Sequence, residues 1–454
     1  MTYTSTNPVS GKVSQRFDLW DKDQLENALS CADSASKAWK TTSFDERTLL
    51  FNKLATQLRD DKERLAHIIT EEMGKLIGES RAEVEKCAVV CDYYAEHGAA
   101  FLADEIIDSD ASRSFVAYQP LGVVLAVMPW NFPLWQVMRF AVPTLMAGNV
   151  GLLKHASNVP QCALALEQLF DDAGFPVNVF QTLLISAPQV AEVIADERVH
   201  AVTLTGSTHA GQAVASCAGQ NIKKSVLELG GSDPFIVLDD ADIALAVDSA
   251  VKSRYLNAGQ SCIAAKRFIV TPAVAEQFIA QFKTAVEQLI PGDPKLEQTT
   301  LAPMARIDLR DELHQQVIDS IDAGAIGVVG CQPVKGAGAF YSASILDHVT
   351  PACRAYTEEL FGPVAIVIRA KDEDDAIHIA NESEFGLGGS VWTKNSAHGE
   401  QLARRVDAGA VFVNGMVKSD PRLPFGGIKR SGYGRELAQH GIREFVNAKT
   451  IWLR

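Results

Sequence analysis

The spacing of apolar residues divides the chain into a helical first part followed by long stretches of alternating strands and helices. Residues 20–107 are rich in Ala, Leu, Glu and Lys, and their apolar residues recur every three or four positions, which predicts helices. Residues 112–120 alternate between apolar and polar side chains and end in proline. This pattern predicts an extended strand or the arm of a hairpin.

From residue 121 the pattern predicts strands that alternate with helices. The predicted strands are 122–128, 150–154, 179–185, 201–205 and 223–229. Helices are predicted up to Gly148, over 160–173 and after the turn GSTHAG (206–211). Such alternation is typical of a parallel, doubly wound sheet.

A second alternating series follows and predicts a second α/β unit. Its strands are predicted at 234–240, 267–271, 364–370, 388–393 and 410–415. The tail KTIWLR (449–454) is also strand-like, and it lies far along the chain from 112–120. Because no repeat, low-complexity tract or long linker separates the two units, we expect them to pack tightly.

Charge and composition narrow the function classes. The net charge of −14 makes nucleic acid and anionic membranes poor partners, and an anionic substrate would need a local cation. The N-terminus lacks the pattern of a signal peptide, and prolines and polar residues interrupt the apolar stretch 120–150 well short of the ~18 residues of a membrane span. We therefore expect a cytoplasmic protein that binds neither nucleic acid nor a membrane.

The eight cysteines favour neither disulfides nor a metal site. A long chain without a signal peptide is expected to keep its thiols reduced. Cys87 and Cys91 are one helical turn apart, but no second His or Cys pair completes a zinc set. We expect no bound metal.

Three short motifs contain residues that could act in catalysis or ligand binding, although each motif also has an ordinary structural explanation. NAGQSC (257–262) places a cysteine three residues after a glycine, but most lone cysteines are small buried apolar residues. LELGG (227–231) could simply end a strand, and PWNFP (129–133) could be a rigid loop.

Together with three further motifs, in one order along the chain, these sequences resemble the aldehyde dehydrogenase superfamily. The six motifs are PWNFP, TLTGS (203–207), LELGG, GQSC (259–262), EELFGP (358–363) and PFGGIKRSGYGRE (424–436). The resemblance covers essentially the whole chain and is strongest to bacterial NADP-using succinate-semialdehyde dehydrogenases. It implies an α/β fold of two doubly wound domains with a β-strand oligomerisation arm.

The resemblance also implies domain boundaries and an assembly. Residues 1–106 and 121–228 are expected to form the cofactor-binding, Rossmann-like domain, and 229–430 the catalytic domain. Residues 107–120 and 431–454 are expected to form the oligomerisation arm and C-terminal tail. An isolated ribbon exposes an edge that a partner should cover, so we expect a homodimer or a tetramer made of two dimers.

Three residues match the catalytic group of that family. Cys262 matches the nucleophile, which would attack the aldehyde to form a thiohemiacetal and then, after hydride loss, a thioester. Asn131 matches the donor to the developing oxyanion, and one such donor is worth ~3–4 kcal/mol. Glu228 matches the general base that activates water for hydrolysis.

The resemblance implies NADP as the preferred cofactor and NAD as the second. Glu359 matches the residue that binds the nicotinamide ribose, and Phe361 the ring beside the nicotinamide. Many NAD-preferring relatives carry an acid at the position of Ser157, where a carboxylate would repel a 2′-phosphate. An alternative is that Ser157 tolerates both cofactors. The predicted cofactor residues are Trp130, Lys154, Ser157, Gly206, Ser207, Gly211, Leu229, Glu359 and Phe361.

For the substrate, the resemblance implies succinate semialdehyde. Arg139 and Ser419 match residues that contact its carboxylate, and Ser261 is assigned to the same site. A second arginine of that subgroup is replaced by Leu256, and a second cysteine by Ala264. Glutarate semialdehyde or other short aldehydes therefore remain alternatives.

Two further classes stay open from the residues alone. A coenzyme A-acylating relative would pass the thioester to a thiol, but it would not need the base Glu228. A non-catalytic scaffold on the same fold would not need Cys262, Glu228 and Asn131 together.

Overall fold

The computed structural model describes residues 2–454, and it begins with a hairpin followed by four helices. The hairpin strands are β1 (Thr2–Thr6) and β2 (Val13–Asp18), and the helices are α1 (Lys22–Trp39), α2 (Phe44–Asp60), α3 (Lys62–Met73) and α4 (Ile77–Phe101). Capping boxes, Asp21 with Gln24 and Ser43 with Glu46, satisfy free amides at the start of α1 and α2. The predicted helical character of 20–107 is confirmed, whereas the hairpin was not predicted.

The next segment forms two arm strands and then the first doubly wound sheet. The elements are β3 (Glu105–Ile106), β4 (Arg113–Pro120), β5 (Val123–Met128), α5 (Trp135–Met146), β6 (Val150–His155), α6 (Pro160–Asp172), β7 (Phe180–Thr182), α7 (Ala187–Ala195), β8 (Val199–Thr205), α8 (Thr208–Gln220) and β9 (Lys224–Glu228). The parallel strands lie in the order β9-β8-β5-β6-β7. The order reverses between β5 and β8, and the crevice at such a point is where open α/β sheets bind ligands.

The second sheet has seven strands, and all but the edge strand β12 run parallel. Its segment contains β10 (Asp233–Val237), α9 (Ile243–Tyr255), β11 (Ala265–Val270), α10 (Ala275–Val286), α11 (Ile307–Asp322), β12 (Ile326–Val329), β13 (Ser344–Asp347), α12 (Arg354–Thr357), β14 (Val364–Arg369), α13 (Glu373–Asn381), β15 (Phe385–Gly386), β16 (Gly388–Trp392), α14 (Ser396–Ala403) and β17 (Ala410–Val413). The order is β12-β13-β14-β11-β10-β16-β17. The inner strands of both sheets are almost entirely buried, which is why they read as continuous apolar runs.

The last segment returns to the first sheet before it reaches the arm. It contains β18 (Ile428–Lys429), β19 (Gly432–Tyr433), α15 (Ala438–Ile442) and β20 (Val446–Leu453). β19 pairs antiparallel with β9, so part of the 431–454 segment that we assigned to arm and tail extends the first sheet. Only β20 joins the arm, where it pairs along its whole length with β4.

The structure confirms the predicted α/β fold class with two parallel sheets and a separate β-strand arm. The arm is a three-stranded sheet, β20-β4-β3, which projects exposed Ile106, Ile107 and Trp452. Within residues 2–454, no helix is long and apolar enough to cross a membrane.

Candidate active site

Two cavities meet at Cys262, which contributes to the wall of each. The first, which we term the anterior cavity, is lined by helices α4 and α5, the nucleophile loop and the segment 416–425. The second, termed the posterior cavity, lies at the carboxyl ends of β5 and β8, where the strand order of the first sheet reverses. Gln136 lines both cavities beside the cysteine.

The loop before Cys262 is held in a conformation that few sequences adopt. Asn257, Ala258 and Gly259 have φ angles of 56°, 51° and 73°, all in the left-handed region. A side chain on Gly259 would overlap the carbonyl oxygen of Gly362, so glycine is required there. The buried amide of Gln260 donates to Asn257 O at 3.1 Å and accepts from Ala305 N at 2.9 Å, which fixes the loop.

Cys262 is half-buried, and its surroundings favour the neutral thiol. Burial raises the pKa of the Cys262 thiol to about 12, while the positive charges of Arg139 and Lys266 oppose that rise. Lys266 also donates to the backbone carbonyls of Ser261 and Cys262, both at 2.8 Å. The thiol must therefore lose its proton before it can act as a nucleophile.

Asn131 lies in the posterior cavity beside Cys262, on the loop that follows β5. It is buried, its Nδ2 donates to Gln260 O at 3.1 Å, and its backbone oxygen accepts from Asn257 Nδ2 at 2.8 Å. An amide nitrogen carries two hydrogens, so one N–H of Asn131 is left for an oxyanion. The sequence-predicted pair of Cys262 and Asn131 is thus brought together.

Glu228 is placed differently, since the walls of the two cavities do not include it. It ends β9, is 2% exposed, and its carboxylate oxygens have no hydrogen-bond partner within residues 2–454. Burial, and then the nearby carboxylate of Glu436, raise the pKa of Glu228 well above its usual range. Burial here favours the protonated form of Glu228, so base chemistry requires it to turn toward Cys262.

Aromatic rings and a paired carboxylate shape the posterior cavity. The rings of Trp130 and Phe361 meet edge to face, with centroids 5.8 Å apart. Glu359 accepts from Gly231 N at 3.1 Å and pairs with Lys266, also at 3.1 Å. This combination provides a flat apolar slot next to a carboxylate that is able to accept hydrogen bonds from ribose hydroxyls.

The turn after β8 and the end of β9 bring three further predicted residues to the same place. Gly206, Ser207 and Leu229 line the posterior cavity, and Ser207 caps helix α8 by accepting from Ala210 N at 3.3 Å. The N-terminus of a helix favours an anion such as a phosphate. Gly211 has a packing role, because a Cβ there would lie 2.6 Å from a methyl group of Leu229.

Lys154, near the end of β6, and Ser157, just after it, lie in a different region. Ser157 is exposed in a third cavity, bordered by the β1–β2 hairpin and by residues 305–308. Lys154 is half-buried, with Nζ 5.7 Å from the ring centroid of Tyr3, and burial lowers its pKa. Residues 305–308 border this third cavity, and the next residue, Leu309, lines the posterior cavity. Consecutive residues thus connect the walls of the third and posterior cavities.

The anterior cavity contains Arg139, Ser261 and Ser419, which sequence comparison had assigned to the substrate. The structure adds a partner that was not predicted, because the buried guanidinium of Arg139 forms an ion pair with Glu436. Arg139 also lies over the ring of Phe425, 4.5 Å from its centroid. Its charge is therefore already balanced within the protein.

Other residues of the site had been set aside or missed. Leu256 and Ala264 line the anterior cavity, whereas Arg254 is fully buried and donates to the backbone carbonyls of Val364 and Leu360. Arg254 therefore does not replace the missing second arginine. Lys86, which belongs to none of the six motifs, is in the cavity wall.

A helical pattern in the sequence could have placed Lys86 near the interior. The inward side of α4 carries the buried residues Glu83, Cys87, Val90 and Tyr94. Lys86 is three residues after Glu83 and four before Val90, so it falls within the same stripe.

A doubly wound sheet whose helix N-terminus and aromatic slot lie beside a cysteine and an amide donor is the arrangement of a nucleotide-binding oxidoreductase. Residues 1–451 match the Aldehyde dehydrogenase family. The chain therefore belongs to the aldehyde dehydrogenase family, and the predicted resemblance and enzyme class are confirmed.

Individual relatives align along the full chain. It is 51% identical over 453 residues to a probable succinate-semialdehyde dehydrogenase (NADP(+)) of Synechocystis sp., covering 100% of both chains. It is 48% identical to a succinate semialdehyde dehydrogenase (NAD(P)+) of Escherichia coli, covering 99% of this chain and 97% of that one. The names of these relatives agree with the predicted cofactors.

A solved structure shows the same architecture. The succinic semialdehyde dehydrogenase of Streptococcus pyogenes, in complex with NADP+, is 38% identical and superposes with a TM-score of 0.98, covering 99% of both chains.

Proposed function

We propose that this enzyme oxidises succinate semialdehyde to succinate with NADP as its preferred cofactor. The observation that carries the proposal is the position of Cys262 between the two cavities. One cavity has the aromatic slot of a nicotinamide site, and the other is lined by the cations Lys86, Arg139 and Lys418. A net charge of −14 makes that local positive charge necessary for an anionic substrate.

In the first step the Cys262 thiol gives its proton to solvent water in the cavity, and the thiolate sulfur forms a bond to the aldehyde carbon. The electron pair of the C=O bond moves to oxygen, where the free N–H of Asn131 and a backbone N–H of the nucleophile loop stabilise it. A nicotinamide held beside Trp130 and Phe361 would supply the acceptor for the hydride that leaves this carbon. Collapse of the oxyanion leaves a thioester on Cys262.

In the second step water hydrolyses the thioester. Glu228 takes a proton from the water while the oxygen attacks the acyl carbon, and the sulfur of Cys262 leaves with the bonding pair. To do so, Glu228 turns away from Glu436 toward Cys262, a movement that also lowers its pKa. The side chain has no hydrogen bond to break within residues 2–454, which favours this rotation.

The residues at the posterior cavity fit a nicotinamide dinucleotide. Trp130 and Phe361 would enclose the nicotinamide, Glu359 would accept from the ribose hydroxyls, and Gly206 and Ser207 would meet the pyrophosphate. Lys154 and Ser157 would lie at the adenosine ribose. Serine at 157 leaves room and no opposing charge for a 2′-phosphate, in agreement with the preference for NADP.

The specific test is an assay of reduced cofactor with a panel of aldehydes that have or lack a terminal carboxylate. Succinate semialdehyde should give a kcat/KM at least about tenfold higher than butanal, and NADP should surpass NAD. Equal efficiencies for both aldehydes would reduce the assignment to a general aldehyde dehydrogenase.

We further propose that the arm sheet mediates a cytoplasmic homodimer, or a tetramer of two dimers. Exposed Ile106 and Ile107 at one edge of this sheet, and Trp452 and Leu453 on the opposite edge strand, are apolar side chains that a second copy would cover. Sedimentation that shows only monomers at micromolar concentration would contradict this assembly.

A further inference from the structure

The anterior cavity contains three cationic side chains, and two of them already have carboxylate partners. Arg139 pairs with Glu436, deep in the protein. Lys418 lies 4.0 Å from Asp420, which Arg422 also contacts. Among residues 2–454, no carboxylate lies within 4.0 Å of Lys86 Nζ, so its positive charge is the one left unmatched in the cavity wall.

The contacts of Lys86 hold its ammonium group at the cavity without neutralising it. Its Nζ donates to Ser419 Oγ at 2.7 Å and lies 4.1 Å from the ring centroid of Trp135. Both partners are uncharged. An ammonium group has three hydrogens, so donors remain after the bond to Ser419.

Ser419 is oriented by the same arrangement. Its buried hydroxyl oxygen accepts from Lys86 and also from the indole N–H of Trp135 at 3.0 Å. Both lone pairs are thereby occupied, and the hydroxyl hydrogen is left to donate to another group. Lys86 and Ser419 together therefore present an ammonium and a hydroxyl donor to the same space.

We infer that Lys86, hydrogen-bonded to Ser419 in the wall of the anterior cavity, binds the distal carboxylate of the substrate. This inference rests on the proposed oxidation of succinate semialdehyde. It assigns a specificity-determining residue on helix α4, and it supplies the cation that the replacement of an arginine by Leu256 had removed.

The charged groups around Lys86 make its role dependent on pH. Two charged groups of its own helix lie nearby: Glu83, which pairs with Lys75, and Glu79. From other elements it faces Arg139 of α5 and, in the loop 416–425, Lys418 and Asp420. Burial and then Arg139 lower the pKa of Lys86 to about 8. As the pH rises through that value, Lys86 loses its charge and the preference for an anionic aldehyde should fall.

The test compares Lys86→Met, Lys86→Arg and wild type at saturating NADP, with succinate semialdehyde and butanal as substrates. Lys86→Met keeps an apolar stem over Trp135 but removes the charge. We expect the ratio of the two kcat/KM values to fall about ten- to hundredfold in Lys86→Met and much less in Lys86→Arg. Lys37→Met, which removes an exposed lysine of α1, should leave the ratio unchanged.

Two further measurements separate carboxylate binding from a structural effect. The inhibition constant of succinate against butanal should rise in Lys86→Met by a similar factor. The wild-type ratio of efficiencies should fall above about pH 8, and the profile of Lys86→Arg should stay flat, since arginine keeps its proton.

The outcomes distinguish this inference from the proposed function. If wild type prefers succinate semialdehyde and folded Lys86→Met keeps the full preference, Lys86 is not the carboxylate partner although the substrate assignment stands. If wild type shows no preference, the substrate assignment and this inference both fail. If Lys86→Met does not fold, the wild-type pH profile and Lys86→Arg decide, and a flat wild-type profile overturns the inference.

Discussion

The two cavities that share Cys262 are built in different ways. The posterior cavity is made mainly of loops that directly follow strands: PWNFP after β5, the Gly206 turn after β8 and Leu229 after β9. The anterior cavity is made of side chains from α4, from α5 and from a loop more than 270 residues later in the chain.

The posterior cavity is suited to the chemistry that the whole family shares, and the anterior cavity is suited to selecting one substrate. The posterior cavity depends on backbone amides, glycines and flat rings, which suit a cofactor that does not change. The anterior cavity depends on the balance of a few charges, in which a single substitution alters what is bound. Variants that affect one cavity and spare the other therefore test the division.

Loss of the shared residue should have the largest effect. We expect Cys262→Ala to lower turnover of every aldehyde at least about a thousandfold, because the covalent intermediate cannot form. Binding of NADPH, measured by fluorescence titration, should persist. Cys31→Ala, at a half-exposed position on α1, is the matched control and should be fully active. Appreciable turnover by Cys262→Ala would remove the nucleophile assignment.

Glu228→Gln should slow hydrolysis about 10²–10⁴-fold for either aldehyde and leave a rapid burst of reduced cofactor, because the amide cannot take a proton from water. In wild type the steady rate should increase with pH, since the raised pKa of Glu228 keeps it protonated at lower pH. Rapid-mixing absorbance separates the two phases. A burst lost in proportion to the steady rate would instead place Glu228 in activation of the thiol.

Asn131→Ala should lower kcat about 10²–10³-fold for anionic and neutral aldehydes alike, because one oxyanion donor is lost. Its position in the posterior cavity predicts no change in the ratio between substrates. A variant selective against succinate semialdehyde would mean that Asn131 contacts the carboxylate.

Ser157→Glu should change only the cofactor preference. A carboxylate about 4 Å from a 2′-phosphate costs up to ~4 kcal/mol per charge pair at an effective dielectric near 20. The ratio of efficiencies with NADP and NAD should therefore shift toward NAD, with Ser157→Ala as the uncharged control. An unchanged ratio would show that the 2′ group lies elsewhere.

The smallest change is expected in the substrate preference of Arg139→Ala. Removing the guanidinium leaves Glu436 buried without its partner, which costs about 3–5 kcal/mol of stability and should impair both aldehydes together. Thermal unfolding and parallel kinetics with butanal measure the two effects. A loss confined to succinate semialdehyde would assign the carboxylate to Arg139 in place of Lys86.

The sequence alone determined the fold class and most of the posterior cavity. Apolar periodicity located most strands of both sheets but missed β12 and β13, and the resemblance of short motifs to the family located Asn131, Glu359 and Cys262. Periodicity did not predict the β1–β2 hairpin, whose second strand is largely exposed and so has no strong apolar alternation. Nor did it show that β19 leaves the tail to join the first sheet.

Only the tertiary structure decided which charges face one another. Arg139 and Glu436 are almost 300 residues apart in sequence, and Lys86 and Ser419 are even farther apart. No local sequence pattern therefore relates the members of either pair. From the sequence Arg139 is expected to bind the substrate carboxylate and no motif marks Lys86, whereas in the folded chain Arg139 pairs with Glu436 and Lys86 donates to Ser419. The physical reason is that the net charge available to a ligand depends on distances between side chains, which are fixed only when distant segments pack together.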